Sequence, residues 1–211
     1  MPDAREQKRE LVDAARFLFE RGLAFATSGN VSLREGDRIL ITPTGASLGS
    51  LRSADIAKAD LDGSVIGKRL PSKELPFHLA IYRARPDVAA VVHVHSHYAV
   101  ALACLRDLNT EDALPPLTPY YVMSAGRLPV APYFPPGDAR LGAAVEARAA
   151  GASAVLLRNH GLIAYGATLQ RAVYLTEEVE ATARLFLELG DRAQALDAAS
   201  VAELRARFPR T

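Results

Sequence analysis

The sequence predicts a mixed α/β fold in a single domain that spans residues 1–211. Two patterns favour this fold: short runs rich in Val, Ile and Leu that are typical of strands, and longer segments whose apolar residues recur at helical spacing. The chain of 211 residues is long enough to bury one sizeable core, and its 49% hydrophobic and 23% charged residues are typical of a globular protein.

The predicted elements follow from these patterns in chain order. Helices are expected where apolar residues recur every three to four positions and end at a helix-terminating residue, such as Gly22 or Pro86. Strands are expected where Val, Ile and Leu cluster between turn residues, as on either side of the turn 35–37. The predicted helices span 5–22, 74–83, 97–105 and 138–150, with a long one from Thr168 onward. The predicted strands span 31–34, 38–42, 88–95, 154–158 and 162–165.

The segment 107–136 lacks either periodicity. It holds seven prolines and three tyrosines. We expect ordered loop with short strands there, and loops of this length are often functional.

Charge and composition exclude several kinds of partner. Twenty-five basic and 24 acidic residues leave a net charge of +1, which provides no basic field for nucleic acid or an anionic membrane. The single cysteine, Cys104, lies in an apolar run; it excludes an internal disulfide and predicts a small buried side chain in a reduced compartment. No apolar run resembles a signal peptide or approaches the ~20 residues of a membrane span. We therefore expect a cytoplasmic protein.

A histidine pair carries the strongest chemical signal. His93 and His95 are separated by one residue on a predicted strand, so they project from one face and can share a metal ion. They could also cap the strand or face solvent. His160, in the turn 159–161, could be a third ligand or bond the backbone. Three imidazoles would leave one coordination position open, as catalytic zinc sites do.

Glu74 and three polar loops supply further candidates. Glu74 lies in the first turn of a predicted helix, where it can take part in chemistry or simply complement the helix dipole. The loops offer hydroxyl and backbone N–H groups that can bind phosphate, although none is a P-loop. The candidate phosphate-binding and substrate-binding residues are Ser28, Gly29, Asn30, Thr44, Gly45, Ser72 and Lys73.

The two remaining histidines have structural interpretations. His97 continues the alternation of His93 and His95 but is expected to begin a helix. His78 lies one helical turn after Glu74 and is expected to pack against the neighbouring loop or orient it.

Taken in order, these motifs resemble the class II aldolase/adducin family, which includes fuculose-phosphate aldolase and ribulose-phosphate 4-epimerase. The resemblance covers almost the whole chain. It implies a three-layer domain with a central, mainly antiparallel sheet flanked by helices, and a C4 homotetramer with active sites at subunit interfaces. The motif residues are Ser28–Asn30, Thr44–Gly45, Pro71–Glu74, His78, Val92–His95 and Asn159–Gly161.

The resemblance also implies roles for individual residues. His93, His95 and His160 would hold one Zn²⁺ per chain, and Glu74 would act as a base that can also approach the metal. Tyr121 matches the family tyrosine that protonates the leaving group. A shift of one residue in the alignment would select Tyr120 instead.

Two segments, 114–126 and 71–75, are similar to the 3-oxo-tetronate 4-phosphate decarboxylases of this family. Family aldolases carry two serines before the glutamate, whereas this chain has Ser72 and Lys73, and the lysine can face a substrate carboxylate or phosphate. The implied reaction is zinc-dependent decarboxylation of a 3-oxo-tetronate 4-phosphate, a small sugar-acid phosphate, to dihydroxyacetone phosphate and CO₂. Another divalent metal could take the place of zinc. The alternatives are a class II aldolase acting on fuculose or rhamnulose 1-phosphate, a related sugar-phosphate epimerase or dehydratase, and a non-catalytic adducin-like binding protein.

Overall fold

A computed structural model describes residues 4–209, in which eight strands form one sheet between helices. Among these residues, no helix is both long and apolar enough to cross a membrane. The strands are β1 Asn30–Glu35, β2 Arg38–Ile41, β3 Ala57–Asp60, β4 Val65–Ile66, β5 Ala90–Val94, β6 Val130–Ala131, β7 Ala154–Leu157 and β8 Gly161–Gly166. The helices are α1 Ala4–Glu20, α2 Leu75–Ala84, α3 His97–Ala103, α4 Pro119–Ser124, α5 Ala139–Ala149, α6 Leu169–Leu189 and α7 Ala198–Arg207.

The sheet is mainly antiparallel, as the family resemblance implied. Its strand order is β4-β3-β2-β1-β5-β8-β7-β6, and within residues 4–209 only β6 and β7 pair in parallel. The predicted hairpin of β1 and β2 is present, and its two-residue turn begins at Gly36, whose φ of 61° suits glycine.

Two hydrophobic cores give the fold its three layers. Neighbouring residues of β5 face opposite sides of the sheet, so Val92 and Val91 belong to different cores. The core around Val92 includes residues of α1, α3 and α6, whereas the core around Val91 includes residues of α2 and α5. The expectation of a central sheet flanked by helices is confirmed.

Some of the structure differs from the sequence-based expectation. The segment 107–136 contains α4, so the prediction of loop and short strands there was wrong in part. Thr118 caps this helix by accepting a hydrogen bond from the Tyr121 N–H, and Pro119 occupies its first turn. Strands β3 and β4 and the C-terminal helix α7 were not predicted.

Cys104 is exposed, so the expectation of a buried thiol was wrong. The residue follows the last residue of α3, where the helix has ended and the chain returns to the surface. Its apolar neighbours Leu102 and Ala103 are buried, and they gave the run its hydrophobic character.

Glu180 of α6 anchors the start of α3, immediately after His95. Its carboxylate accepts hydrogen bonds from the Ser96 hydroxyl at 2.7 Å and from the backbone N–H groups of Tyr98 and Ala99, both at 2.8 Å. These groups at a helix start have no partner within the helix, so the carboxylate satisfies donors that would otherwise be unpaired.

We expect Glu180→Ala to lower the free energy of unfolding by about 2 to 3 kcal/mol, because hydrogen bonds to charged groups contribute roughly 1.5 to 3 kcal/mol. Chemical denaturation followed by circular dichroism measures the change. Glu177→Ala, on the same helix, is the control: its carboxylate pairs at 2.9 Å with the exposed Arg21, and such surface pairs contribute at most about 1 kcal/mol. Equal losses in the two variants would contradict the assigned role of Glu180.

Candidate metal centre

Three neighbouring strands bring the candidate ligands together. In the sheet, Asn30 of β1 pairs with His93 of β5, and His93 pairs with Ile163 of β8. His95 lies one residue beyond the end of β5, and His160 lies in the turn directly before β8. The three histidines therefore meet at the end of β5, although they are separated along the chain.

Glu74 joins the histidines to form a compact cluster. His93 Nε2 lies 2.9 Å from His95 Nε2 and 3.4 Å from a Glu74 carboxylate oxygen, and His160 Nε2 lies 3.2 Å from the other oxygen. One possible ligand atom from each of the four residues lies within 4.8 Å of the others. Three nitrogens and one oxygen are a typical donor set for a divalent metal such as zinc.

The hydrogen bonding of the histidines fits a metal in this position. His93 Nδ1 lies 2.9 Å from the Leu162 carbonyl, which can only accept, so Nδ1 carries the hydrogen and Nε2 presents its lone pair to the cluster. Both ring nitrogens of His160 are buried and lack a hydrogen-bond partner among the described residues. Since buried polar atoms are rarely left unpaired, a metal ion is the partner that this arrangement lacks.

The electrostatics of the site also favour metal binding. Burial lowers the pKa of His93 to about 3, and it also lowers the pKa of His95. Burial opposes ionisation of Glu74, but the nearby His93 and His160 rings and the hydrogen bond from Asn30 outweigh burial and hold the pKa of this carboxyl below its usual range. Neutral imidazoles and an ionised carboxylate are the states in which these groups bind metals.

The turn before β8 requires a glycine after His160. A side chain at Gly161 would collide with the Val94 carbonyl and press on the rings of His95 and His93, at 3.2 and 3.4 Å. The preceding Asn159 adopts a positive φ of 54°, a conformation that asparagine tolerates better than most residues. Residues 159–161 thus bring the His160 imidazole to the cluster without displacing its other side chains.

The cluster opens into a cavity of about 260 Å³. His95, His160 and Glu74 line it together with residues of the three polar loops predicted from the sequence and with Pro136. The Asn30 side chain is engaged within the protein, since its NH₂ group donates to Glu74 and its oxygen contacts His78. The candidate phosphate-binding residues that line the cavity are Ser28, Gly29, Asn30, Thr44, Gly45, Ser72 and Lys73.

The two candidate tyrosines do not line this cavity in the described part of the chain. Tyr121 is only 1% exposed, and its hydroxyl is buried in a core without a hydrogen-bond partner in residues 4–209. Burial raises the pKa of Tyr121, which weakens it further as an acid. Tyr120 is 69% exposed on α4. His97 begins α3 as expected, is exposed and lies outside the metal-ligating cluster.

Two further polar residues behind the cluster were not singled out in the sequence. Ser32 and Tyr82 extend the hydrogen-bonded contacts that run from Glu74 through Asn30 and His78. A signal was present in the spacing. Glu74, which directly precedes α2, and His78 and Tyr82 on α2 lie four residues apart, and Asn30 and Ser32 lie two apart on a strand.

A larger groove of about 770 Å³ lies between α1 and α6. Its lining includes Glu6, Asp13 and Phe17 on one side and Tyr174 on the other, with no histidine or cysteine among the described residues that form it. Among the described residues, this groove therefore lacks the histidine and cysteine side chains that commonly bind transition metals.

Comparison with known proteins identifies the family. The family described as Class II Aldolase and Adducin N-terminal domain matches residues 9–187, which is most of the chain. The chain belongs to the class II aldolase and adducin family. This membership agrees with the resemblance carried by the sequence motifs and with the sheet and cluster of the structure.

Several members of the class II aldolase and adducin family are similar along nearly their whole length. The 3-oxo-tetronate 4-phosphate decarboxylase of Pectobacterium atrosepticum is 46% identical, with 93% of this chain and 91% of that protein covered. The decarboxylase of the same name from Escherichia coli K12 is 43% identical, with 94% of each covered. The L-fuculose phosphate aldolase of Methanocaldococcus jannaschii is 37% identical, with 85% of this chain and 95% of that protein covered.

Solved structures of the family share the fold. The crystal structure of YgbL from Escherichia coli, described as an aldolase, epimerase or decarboxylase, superposes with a TM-score of 0.93 at 41% identity, covering 96% of this chain and 99% of that one. An L-fuculose 1-phosphate aldolase superposes with a TM-score of 0.87 at 32% identity, covering 95% of each chain.

Proposed function

We propose that this family member is a metal-dependent carbon–carbon lyase that decarboxylates a 3-oxo-tetronate 4-phosphate to dihydroxyacetone phosphate and CO₂. The observation that supports this most is the cluster of Glu74 and three imidazoles beside a cavity lined by polar loops. The likeness to decarboxylases of 41 to 46% identity favours this substrate class.

We propose Zn²⁺ as the metal, one ion per chain, held by His93, His95 and His160 with Glu74 within reach. When bound, such an ion supplies a Lewis acid that draws electron density toward a ketone oxygen. The buried ring nitrogens of His160, which make no hydrogen bond within the described part of the chain, support its inclusion among the ligands. The whole chain, residues 1–211, would act as one domain.

The polar loops would bind the anionic groups of the substrate. Ser28, Thr44 and Ser72 offer hydroxyl groups, and Gly29 and Gly45 have positive φ, which lets the backbone approach a ligand closely. Lys73 is exposed at the cavity, where its ammonium can pair with the phosphate or the carboxylate. The loops would thereby hold the substrate so that the bond to its carboxylate lies beside the cluster.

Glu74 would move a proton during the reaction. Breaking the bond to the carboxylate releases CO₂ and leaves its electron pair on an enediolate, which must gain one proton at carbon. Because the Glu74 carboxyl has a lowered pKa, it begins ionised and can pass on a proton only after accepting one from solvent. A carboxylate placed beside the reacting carbon can serve in this way as a general acid–base group.

A tyrosine is the other candidate for this proton transfer. Tyr120 is exposed, so a neighbouring subunit could bring it to the cavity, whereas the Tyr121 hydroxyl is buried within its own chain. The geometry therefore favours Tyr120 over Tyr121. This assignment goes with the proposal that the protein is a cytoplasmic homotetramer whose sites lie at subunit interfaces.

A substrate assay tests the proposed function. Purified protein is given a 3-oxo-tetronate 4-phosphate, and released CO₂ and dihydroxyacetone phosphate are both measured. L-Fuculose 1-phosphate is tested in parallel, because the L-fuculose phosphate aldolase of Methanocaldococcus jannaschii is 37% identical to this chain. Stoichiometric release of both decarboxylation products supports the proposal. Cleavage of the ketose 1-phosphate, with no release of CO₂ from the oxo acid, would contradict the proposal and make the protein an aldolase.

We expect Lys73→Ser to weaken substrate binding by roughly 1.5 to 3 kcal/mol, the usual contribution of a hydrogen bond to a charged group. The corresponding fall in kcat/KM for the oxo-acid phosphate is about 10- to 150-fold. Lys68→Ser is the control, since Lys68 is exposed and does not line the cavity. If Lys73 pairs with the phosphate, kcat/KM for a sugar phosphate without a carboxylate should fall by as much. Unchanged kinetics with every substrate would remove Lys73 from the binding site.

A further inference from the structure

Five buried polar side chains form an unbroken row between α2 and β1, leading away from the metal-ligating cluster. The Asn30 NH₂ group donates to a Glu74 carboxylate oxygen at 2.8 Å, and the Asn30 oxygen contacts His78 Nε2 at 2.5 Å. Ser32 Oγ lies 2.8 Å from His78 Nδ1 and 2.8 Å from the Tyr82 hydroxyl. All five side chains are buried. The row therefore links the carboxylate to a point deep in the protein.

The geometry of the two elements makes this row possible. Glu74, His78 and Tyr82 are four residues apart, a rise of about 6 Å per step along a helix. Asn30 and Ser32 are two residues apart, a rise of about 6.6 Å along a strand. The two steps nearly match, so each strand side chain fits between two helix side chains and can bond to both.

The chemistry of the partners gives each hydrogen bond a direction. A carboxylate can only accept, so the Asn30 NH₂ group faces Glu74 and the Asn30 oxygen faces His78. An amide oxygen also only accepts, so His78 Nε2 carries a hydrogen and donates it. In the neutral ring Nδ1 then accepts from the Ser32 hydroxyl, which in turn accepts from Tyr82. Every donor in the row points toward Glu74.

We propose that His78 is a positioning residue that holds the Glu74 carboxylate in place through Asn30, acting as the neutral tautomer with its hydrogen on Nε2. Without that donor, the Asn30 amide could rotate by half a turn and present its oxygen to the carboxylate, which would repel it. The consequence for catalysis rests on the proposed function of Glu74, whereas the tautomer of His78 is a property of the protein itself.

Glutamine and asparagine at position 78 separate the two ends of the imidazole. The longer amide of glutamine can reach the position of Nε2 and donate to Asn30, whereas the shorter amide of asparagine can occupy the position of Nδ1 and bond only to Ser32. Both are uncharged, and both remove the ring that stacks on Phe77 at 4.9 Å. They therefore differ mainly in which bond of the row survives.

We expect His78→Asn to lower kcat by about 10- to 100-fold, the usual effect of losing a residue that orients a metal-site group, with little change in KM. His78→Gln should restore kcat to the same order of magnitude as the unaltered protein. A residue needed only for packing would give equal losses in both variants, and such a result would overturn the proposal.

A second pair of variants tests the far end of the row. Tyr82→Phe removes the terminal donor, whereas Tyr165→Phe removes a buried hydroxyl that donates only to the Ala149 carbonyl, at 3.2 Å, outside the row. Both substitutions should lower thermal stability similarly. Only Tyr82→Phe should lower kcat, by less than His78→Asn, because Ser32 can still donate to His78. If kcat were equal in the two tyrosine variants, Tyr82 would have no part in positioning Glu74, and the row as proposed beyond His78 would be overturned.

The tautomer can be measured without substrate. In the full-length protein with ¹⁵N-labelled histidine, the signals absent from His78→Gln identify His78, and its nitrogen shifts report which atom carries the hydrogen. We expect a hydrogen on Nε2 and a bare Nδ1. A hydrogen on Nδ1, or on both nitrogens, would overturn the proposal. If the protein releases no CO₂ from the oxo acid, the proposed function fails, and this measurement still decides the role of His78.

Discussion

His160→Ala is expected to abolish binding of the divalent metal and to lower decarboxylation by more than about 100-fold. Loss of residues that merely orient metal ligands costs 10- to 100-fold, so loss of a ligand should cost more. His160 is the best of the proposed ligands to remove, because it lies in a turn, whereas His93 is completely buried within β5. Elemental analysis of the purified variant measures the metal, and circular dichroism checks the fold.

His97→Ala is the matched control for this experiment. His97 is an exposed histidine two residues after His95, outside the cluster of possible ligands. Its replacement should leave one metal ion per chain and nearly full activity. A folded His160→Ala protein that keeps its full metal content would remove His160 from the site. It would also leave unexplained why the buried ring nitrogens of His160 make no hydrogen bond to any residue the structure describes.

Glu74→Gln is expected to retain the metal largely and to lower kcat by about 100-fold or more, the usual effect of losing a positioned acid–base group. Glutamine has nearly the same shape and can still accept the hydrogen bond from Asn30. It cannot take up a proton and pass it on, so the loss should appear in kcat rather than in KM. Steady-state kinetics with the oxo-acid phosphate measures both constants.

Glu146→Gln provides the comparison for Glu74→Gln. Glu146 pairs with Arg83 at 3.2 Å on the surface of α5, so its loss should change neither constant measurably. If Glu74→Gln raised KM alone, Glu74 would be a binding residue, and the proton would have to come from another group such as Tyr120.

The fold could be predicted from the sequence where local pattern and tertiary structure agree. Strands β5 and β8 consist largely of Val, Ile, Leu and Ala between polar turns, and both were predicted close to their observed bounds. Strand β3 reads Ala57-Lys-Ala-Asp60, residues with low strand propensity, and it exists because it pairs with β2. Its position depends on tertiary pairing, which a local pattern does not reveal.

Helices α4 and α7 were missed for a different reason. Thr118 followed by Pro119 is a helix-start signal, but the surrounding prolines in 107–136 masked it. Asp197 caps α7 by accepting from the Ser200 N–H, and none of the described residues of α7 is fully buried, so the helix lacks the apolar stripe by which helices are predicted.

The residues of the candidate site could be predicted from the sequence, but the contacts that hold them in place could not. The three histidines, Glu74 and the polar loops follow from motifs, and the structure brings them together in and around one cavity. The contacts of Ser32 and Tyr82 with His78 depend on how α2 lies along β1, which the sequence does not state. The exposure of Tyr120 and the burial of Tyr121 likewise depend on the orientation of α4.

The most direct test of the account is a metal titration of the decarboxylation reaction. The protein is stripped of metal with a chelator, Zn²⁺ is added back stepwise, and CO₂ release from a 3-oxo-tetronate 4-phosphate is measured at each step. We expect negligible activity without metal and a linear rise that ends at one equivalent per chain. Full CO₂ release from the stripped protein would contradict a metal-dependent reaction at the cluster of Glu74, His93, His95 and His160.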